Sequence, residues 1–216
     1  MSGADLPPGT ISAQERALAD ARRTFGDEHP ETLTAMLDLA ETLWAQGRLI
    51  AARKIEEQVV AGRTRLLGEG HADTLKAIGK LAVTMAAQGQ LAEARLLQER
   101  VVAGMRALDG EIGRDTLRAI NNLAGTVAAQ GDFAGARELL QSVISVMVSE
   151  YGEQHPDNLA AMGNLAAVLW QDGDLGEAYE LQRQVVELHR RVHGDSDRAT
   201  LIAAAILETM ERDTGF

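Results

Sequence analysis

The stretch GEQHPDNLAAMGNLAAVLWQDGDL, residues 152–175, decides the fold because the chain repeats its plan every 42 residues. The other openings are GDEHPETL from Gly26, GEGHADTL from Gly68, GEIGRDTL from Gly110 and GDSDRATL from Gly194, with no insertion between them. Self-similarity at such a period marks a stacked repeat array, which grows by adding units. The 216 residues therefore read as one solenoid over 12–216 behind a flexible leader at 1–11. Its parts are a lone helix at 12–25, repeats at 26–67, 68–109, 110–151 and 152–193, and a terminal half-repeat at 194–216.

Within the unit from Gly152, Leu159, Met162, Leu165, Ala166 and Leu169 recur at three- and four-residue steps, the period of a helix with one buried face. Pro30 and Pro156 suit a first helical position, where no N–H is needed, so the helix is expected to open at the His-Pro pair. Glu31 and Asp157 follow at the positive end of the helix dipole. Gly47, Gly89, Gly131 and Gly173 end each first helix. A second helix of roughly 17 residues then starts near Leu49, Leu91, Phe133 and Leu175. It buries Ala52, Ala94, Ala136 and Ala178, small residues that let helices approach closely. Ser12 and Glu15 form a capping-box pattern that predicts a helix over 13–25. The last unit supplies only a first helix, with Glu208 and Glu211 at positions that are core in the other units, as suits a solvent-facing cap. Ten helices result, and the fold class is all-α.

Composition narrows the function. Apolar residues make up 45% of the chain but aromatics only 3%, which favours helices packed through small side chains. The absence of cysteine excludes disulfides, thiolate metal sites and a cysteine nucleophile. A net charge of −11 opposes non-specific attachment to nucleic acid or anionic membrane. Neither a signal peptide nor an apolar run of membrane-spanning length is legible, so a cytoplasmic protein is expected.

Leu165, Ala166, Gly173 and Ala178 together resemble the signature of the tetratricopeptide repeat. The longer period, the Gly152-His155-Pro156 opening and the Asn121-Asn122-Leu123-Ala124 phrase resemble the forty-two-residue version found in kinesin light chains. HEAT and armadillo repeats have similar periods, but the hairpin glycine and the alanine five residues later argue against them. The resemblance implies a right-handed α-solenoid of helix–turn–helix repeats whose first helices line a concave groove. It also implies a protein-binding scaffold without catalysis or cofactor. Gly113-Arg114 and Asp197-Arg198 replace His-Pro, so looser entries are expected there.

On that geometry the groove lining includes Leu37, Gly79, Asn121 and Gly163 in one row, with Asp38, Lys80, Asn122 and Asn164 beside it. Lys76, Lys80, Arg118, Asn121, Asn122 and Asn164 form the expected polar site, able to hold a peptide carboxylate and its backbone by charge-assisted hydrogen bonds. Trp44 and Trp170, equivalent in repeats one and four, are candidate aromatic anchors. Gly79, Gly125 and Gly163 would leave room for a partner. The expected partner is a protein segment with apolar anchors and an acidic group. The alternatives are a homodimer through the groove or an end helix, or the sensor portion of a larger signalling protein.

No metal site is expected. His29, His71 and His155 share one repeat position and lack an i, i+4 partner, and His189 with His193 reads as favourable charge at a helix C-terminus. Glu56-Glu57 reads as part of an exposed face, and no nucleophile–base set stands out.

Overall fold

Two glycines in different backbone states punctuate each repeat. Gly152 has φ 90° and ψ 154°, a region essentially reserved for glycine. Gly173 has φ 96° and ψ 1°, the left-handed state that closes a first helix. In a computed structural model, residues 10–214 are described. They form α1 (Thr10–Phe25), α2 (Pro30–Ala45), α3 (Leu49–Leu67), α4 (Ala72–Ala87) and α5 (Leu91–Asp109). Then come α6 (Arg114–Ala129), α7 (Phe133–Tyr151), α8 (Pro156–Asp172), α9 (Leu175–His193) and α10 (Arg198–Thr214). The chain divides into two compact units, Met1–Leu108 and Asp109–Phe216, the boundary falling at the last residue of α5.

Helix α1 opens at Thr10, so Ser12 lies inside it and is not the expected N-cap. Most of the expected leader falls outside the described residues, and Thr10 and Ile11 are already helical. The second helices run to 19 residues, two more than expected.

In the first unit, α1 packs on α2, α2 on α3 and α3 on α4. The α2 residues Leu33, Met36, Leu39 and Leu43 meet Ala52 and Val59 of α3. In the second unit α6 through α10 pack in chain order, and α6 also touches α8. There Leu159 and Met162 meet Val185, Val186 and Ala203. Ala52, Ala94, Ala136 and Ala178 are fully buried, because a larger residue would hold the helices apart.

A closer approach was not anticipated from the sequence. A Cβ on Gly62 would stand 2.9 Å from Leu33 Cδ2, and one on Gly104 would stand 2.6 Å from Leu75 Cδ1. In each of the first two repeats, a first-helix leucine thus lies directly over a second-helix glycine. Repeats three and four carry Val146 and Leu188 at the same position.

Glu56 also corrects an expectation. It is 3% exposed and faces α4, where its Oε1 accepts a hydrogen bond from the Thr84 hydroxyl at 3.0 Å. Its other oxygen is buried with no partner. Burial pushes the carboxyl above its ordinary value, the Thr84 hydrogen bond opposes this, and Glu57 reinforces it.

Candidate functional site

The first helices carry their caps in the sequence phrase that opens each repeat. The His29, His71 and His155 rings each accept, through Nδ1, the N–H two residues on, at 3.2–3.3 Å. The threonine or asparagine three residues after each histidine is buried, and in the first and fourth repeats it ties back to the turn. Thr32 Oγ1 donates to the Gly26 carbonyl at 2.7 Å, and Asn158 Nδ2 to that of Glu153 at 2.7 Å. This fixes the start of each helix, and with it the residues on its exposed face.

The two departures from His-Pro are capped by other means, so the expected looseness is not found. At Gly113 the Asp109 carboxylate, from the end of α5, accepts the Asp115 N–H at 3.1 Å. A Cβ on residue 113 would stand 2.2 Å from that carboxylate, so glycine is required for the approach. At α10, Asp197 Oδ1 accepts the Ala199 N–H at 2.8 Å, and this bond above all holds the Asp197 carboxyl below its ordinary value.

In the first unit the expected site residues are Lys76, Lys80 and Trp44. Lys80 forms an ion pair with Glu41, joining α4 to α2. Burial lowers its pKa, opposed by Asp38. Lys76 is exposed on the same face of α4, and Trp44 is 37% exposed at the end of α2. Leu37 is a correction: instead of lining a groove it belongs to the buried core. Gly79 is half-buried, and a Cβ there would make an ordinary contact with Val101 Cγ1 at 3.8 Å.

In the second unit, α6 and α8 bring the remaining residues together. Asp157 is clasped by Arg114 Nε at 2.7 Å and Arg118 Nε at 2.9 Å. Burial alone would raise its carboxyl, but the two arginines outweigh that and hold it below the ordinary value. One turn along, Asn164 Nδ2 donates to Asn121 Oδ1 at 3.1 Å, which leaves the Asn121 amide as donor and Asn164 Oδ1 as acceptor. Asn122 is exposed beside them, and Trp170 is half-buried at the end of α8. Cβ atoms on Gly125 and Gly163 would meet nothing within 4 Å. The face thus offers an amide pair, open helix backbone, a half-exposed guanidinium and an indole edge.

Sequence reasoning stopped one repeat early. Ile202 and Ile206 of α10, 53% and 46% exposed, lie 42 residues beyond Ala160 and Asn164 and so share the register of this face. Extending the rows by one period would have found them.

At the end of α9, burial and then the neighbouring His193 hold His189 below the ordinary histidine value, with Asp197 opposing. The basic residues of that last turn are Arg190, Arg191 and His193. Among the described residues no three His, Asp or Glu side chains are grouped to hold a metal ion, and no helix is long and apolar enough to cross a membrane.

A family model of the tetratricopeptide repeat matches residues 10–65 and 115–191, and a second such model matches residues 74–108. Among solved structures, the chain is similar to nearly identical TPR-like repeats of Podosopora anserina assigned to a kinesin light chain. Identity is 30%, 85% of this chain and 87% of that one are covered, and the TM-score is 0.62. A variant of those repeats matches at 30% identity over 84% of this chain and 85% of that one, with a TM-score of 0.65. BtubC (BKLC) of P. vanneervenii shares the fold at 16% identity, covering 95% of this chain and 83% of that one, with a TM-score of 0.72. No curated protein sequence matches.

Proposed function

The chain belongs to the tetratricopeptide repeat family, with repeats of the kinesin-light-chain type, and from that premise we propose that it binds a segment of a partner protein on the first-helix face of its second unit. The observation that carries this is the Asn121–Asn164 amide pair beside the open backbone at Gly125 and Gly163. Paired carboxamides present one donor and one acceptor, the complement of a peptide unit, and the missing side chains let a main chain come close. Trp170 offers an apolar anchor at one end.

An acidic group on the partner is supported by Arg118. Its Nε is engaged by Asp157, but a guanidinium has five donors and this one is about half exposed. A carboxylate would share it, as bidentate arginine sites allow. The first unit's own face, with Lys76, Lys80 and Trp44, is proposed as a separate contact, in which a partner carboxylate competes with Glu41 for Lys80.

The test is selection of binding peptides from a random library on the immobilised protein, followed by titration in solution. Asn121→Ala with Asn164→Ala should weaken the selected peptides about tenfold or more, the scale of one or two hydrogen bonds. Arg118→Glu with Lys76→Glu should select against acidic peptides. Affinities unchanged in both double variants would overturn the proposal.

A further inference from the structure

We propose that α10 is a self-association surface, on which a second copy of this chain docks its own α10 antiparallel to the first. The seam runs along the edge of the register used for the partner segment, one unit further on, since Ala205 and Arg212 lie 42 residues beyond Gly163 and Trp170. Arg198, Leu201, Ala205, Glu208 and Arg212 recur at alternating steps of three and four, the spacing of a helix–helix seam, and all five are exposed.

Leu201 identifies the face as a packing surface. Its counterparts Leu33, Leu75, Leu117 and Leu159 are 1–5% exposed because a second helix covers them, whereas Leu201 is 57% exposed. Ile202 and Ile206 adjoin it and widen the apolar strip. The acids at 208 and 211 answer part of the earlier expectation of a solvent-facing cap, since Glu211 accepts from the Tyr179 hydroxyl at 3.0 Å. Glu208 has no such partner among the described residues.

Charge selects the occupant. Arg114, Arg118, Arg137, Arg183, Arg190 and Arg191 of this unit each have an acidic partner. Among the described residues of the unit, Arg198 and Arg212 are the arginines without one, and both lie on this seam. Arg198 and Glu208 flank Leu201 and Ala205, about 15 Å apart along the helix. A two-fold axis beside residue 203 sets Arg198 of each copy against Glu208 of the other, with Leu201 against Ala205 between them. It also sets Arg212 near the other copy's acidic turn at Asp195 and Asp197. Such a self-complementary patch is what an isologous dimer requires. One helix pair is small beside the ~1,600 Å² of a standard interface, so the association is of the micromolar class.

Sedimentation velocity of the purified full chain, from micromolar to submillimolar concentration, tests this. A reversible monomer–dimer equilibrium is expected. Arg198→Glu or Glu208→Arg alone should weaken it about tenfold, through two repelling pairs, while the two reversals together restore it. Leu201→Glu, at an exposed position, should abolish the dimer and leave helical circular dichroism unchanged. A chain monomeric at every concentration overturns the proposal, as does a dimer insensitive to Leu201→Glu. A double reversal no tighter than the single ones does so too. Peptide binding at Asn121 and Asn164 is unaffected by these variants, so the two readings fail separately.

Discussion

Thr84 donates a 3.0 Å hydrogen bond to Glu56 across the α3–α4 packing, and among the described residues it is the sole partner of a carboxyl whose other oxygen is buried and unbonded. The same register position holds Gln14, Gln98, Leu140 and Gln182 in the other units, all of them neutral. Glu56 should therefore be favoured as the neutral acid. Its folded pKa lies above the ordinary 4.5, so the native state holds the extra proton, and the stability this gives is full below 4.5 and lost as pH rises through the folded value. Glu56→Gln should leave acid-side stability nearly unchanged and raise it on the alkaline side. Urea melts of both proteins across pH check this; parallel stability–pH curves would refute it.

Two glycine-to-alanine changes should have opposite signs. At Gly104 the added methyl meets Leu75 at 2.6 Å, an overpacking that costs about 1–3 kcal/mol. At Gly125 it meets nothing within 4 Å, so only helix propensity acts and alanine gains about 0.5–1 kcal/mol. Thermal melts of the two variants decide.

Removing the borrowed cap of α6 should cost as much as removing an ordinary one. Asp109→Ala leaves the Asp115 N–H without its acceptor, a loss of about 1 kcal/mol. Gly113→Ala should cost more, because its methyl displaces the same carboxylate. Amide hydrogen exchange at Asp115 should rise in both.

Asp157 acts in the opposite pH direction to Glu56. Its folded pKa is held below the ordinary 3.8 by Arg114 and Arg118 despite burial. The stability it contributes is present above 3.8 and is lost as pH falls through the folded value. Asp157→Asn should destabilise the protein at neutral pH, and the gap to the parent should close in strong acid. A gap constant with pH would show that the clasp is unimportant.

Most of the fold is legible because stacking imposes the same demand every 42 residues. Leu159, Ala166, Gly173 and Ala178 each answer to a packing or backbone requirement that recurs. What escaped the sequence were contacts that depend on relative orientation. Leu37 has the spacing of a lining residue but turns into the core. Glu56 has the composition of a surface pair but faces the next helix. The candidate site was legible at Asn121, which differs from Leu37, Gly79 and Gly163 in the other units, and at Asn164, whose counterparts are Asp38, Lys80 and Asn122, whereas Ile202 and Ile206 went unseen because their helix was read only as a cap.

The cap that Asp109 lends to α6 bears on how such a gene can lengthen or shorten. Because every unit ends in the same backbone state, one 42-residue block can be excised and its flanks rejoined without a frameshift in register. Excision of 110–151 would leave each remaining helix with its own start signal, since His155 travels with Pro156. Excision of 68–109 would carry away the carboxylate that the third unit depends on, and Gly113 would then sit at a helix start with nothing to accept the Asp115 N–H. The third repeat thus depends on the second but not the reverse, although nothing in their length requires it.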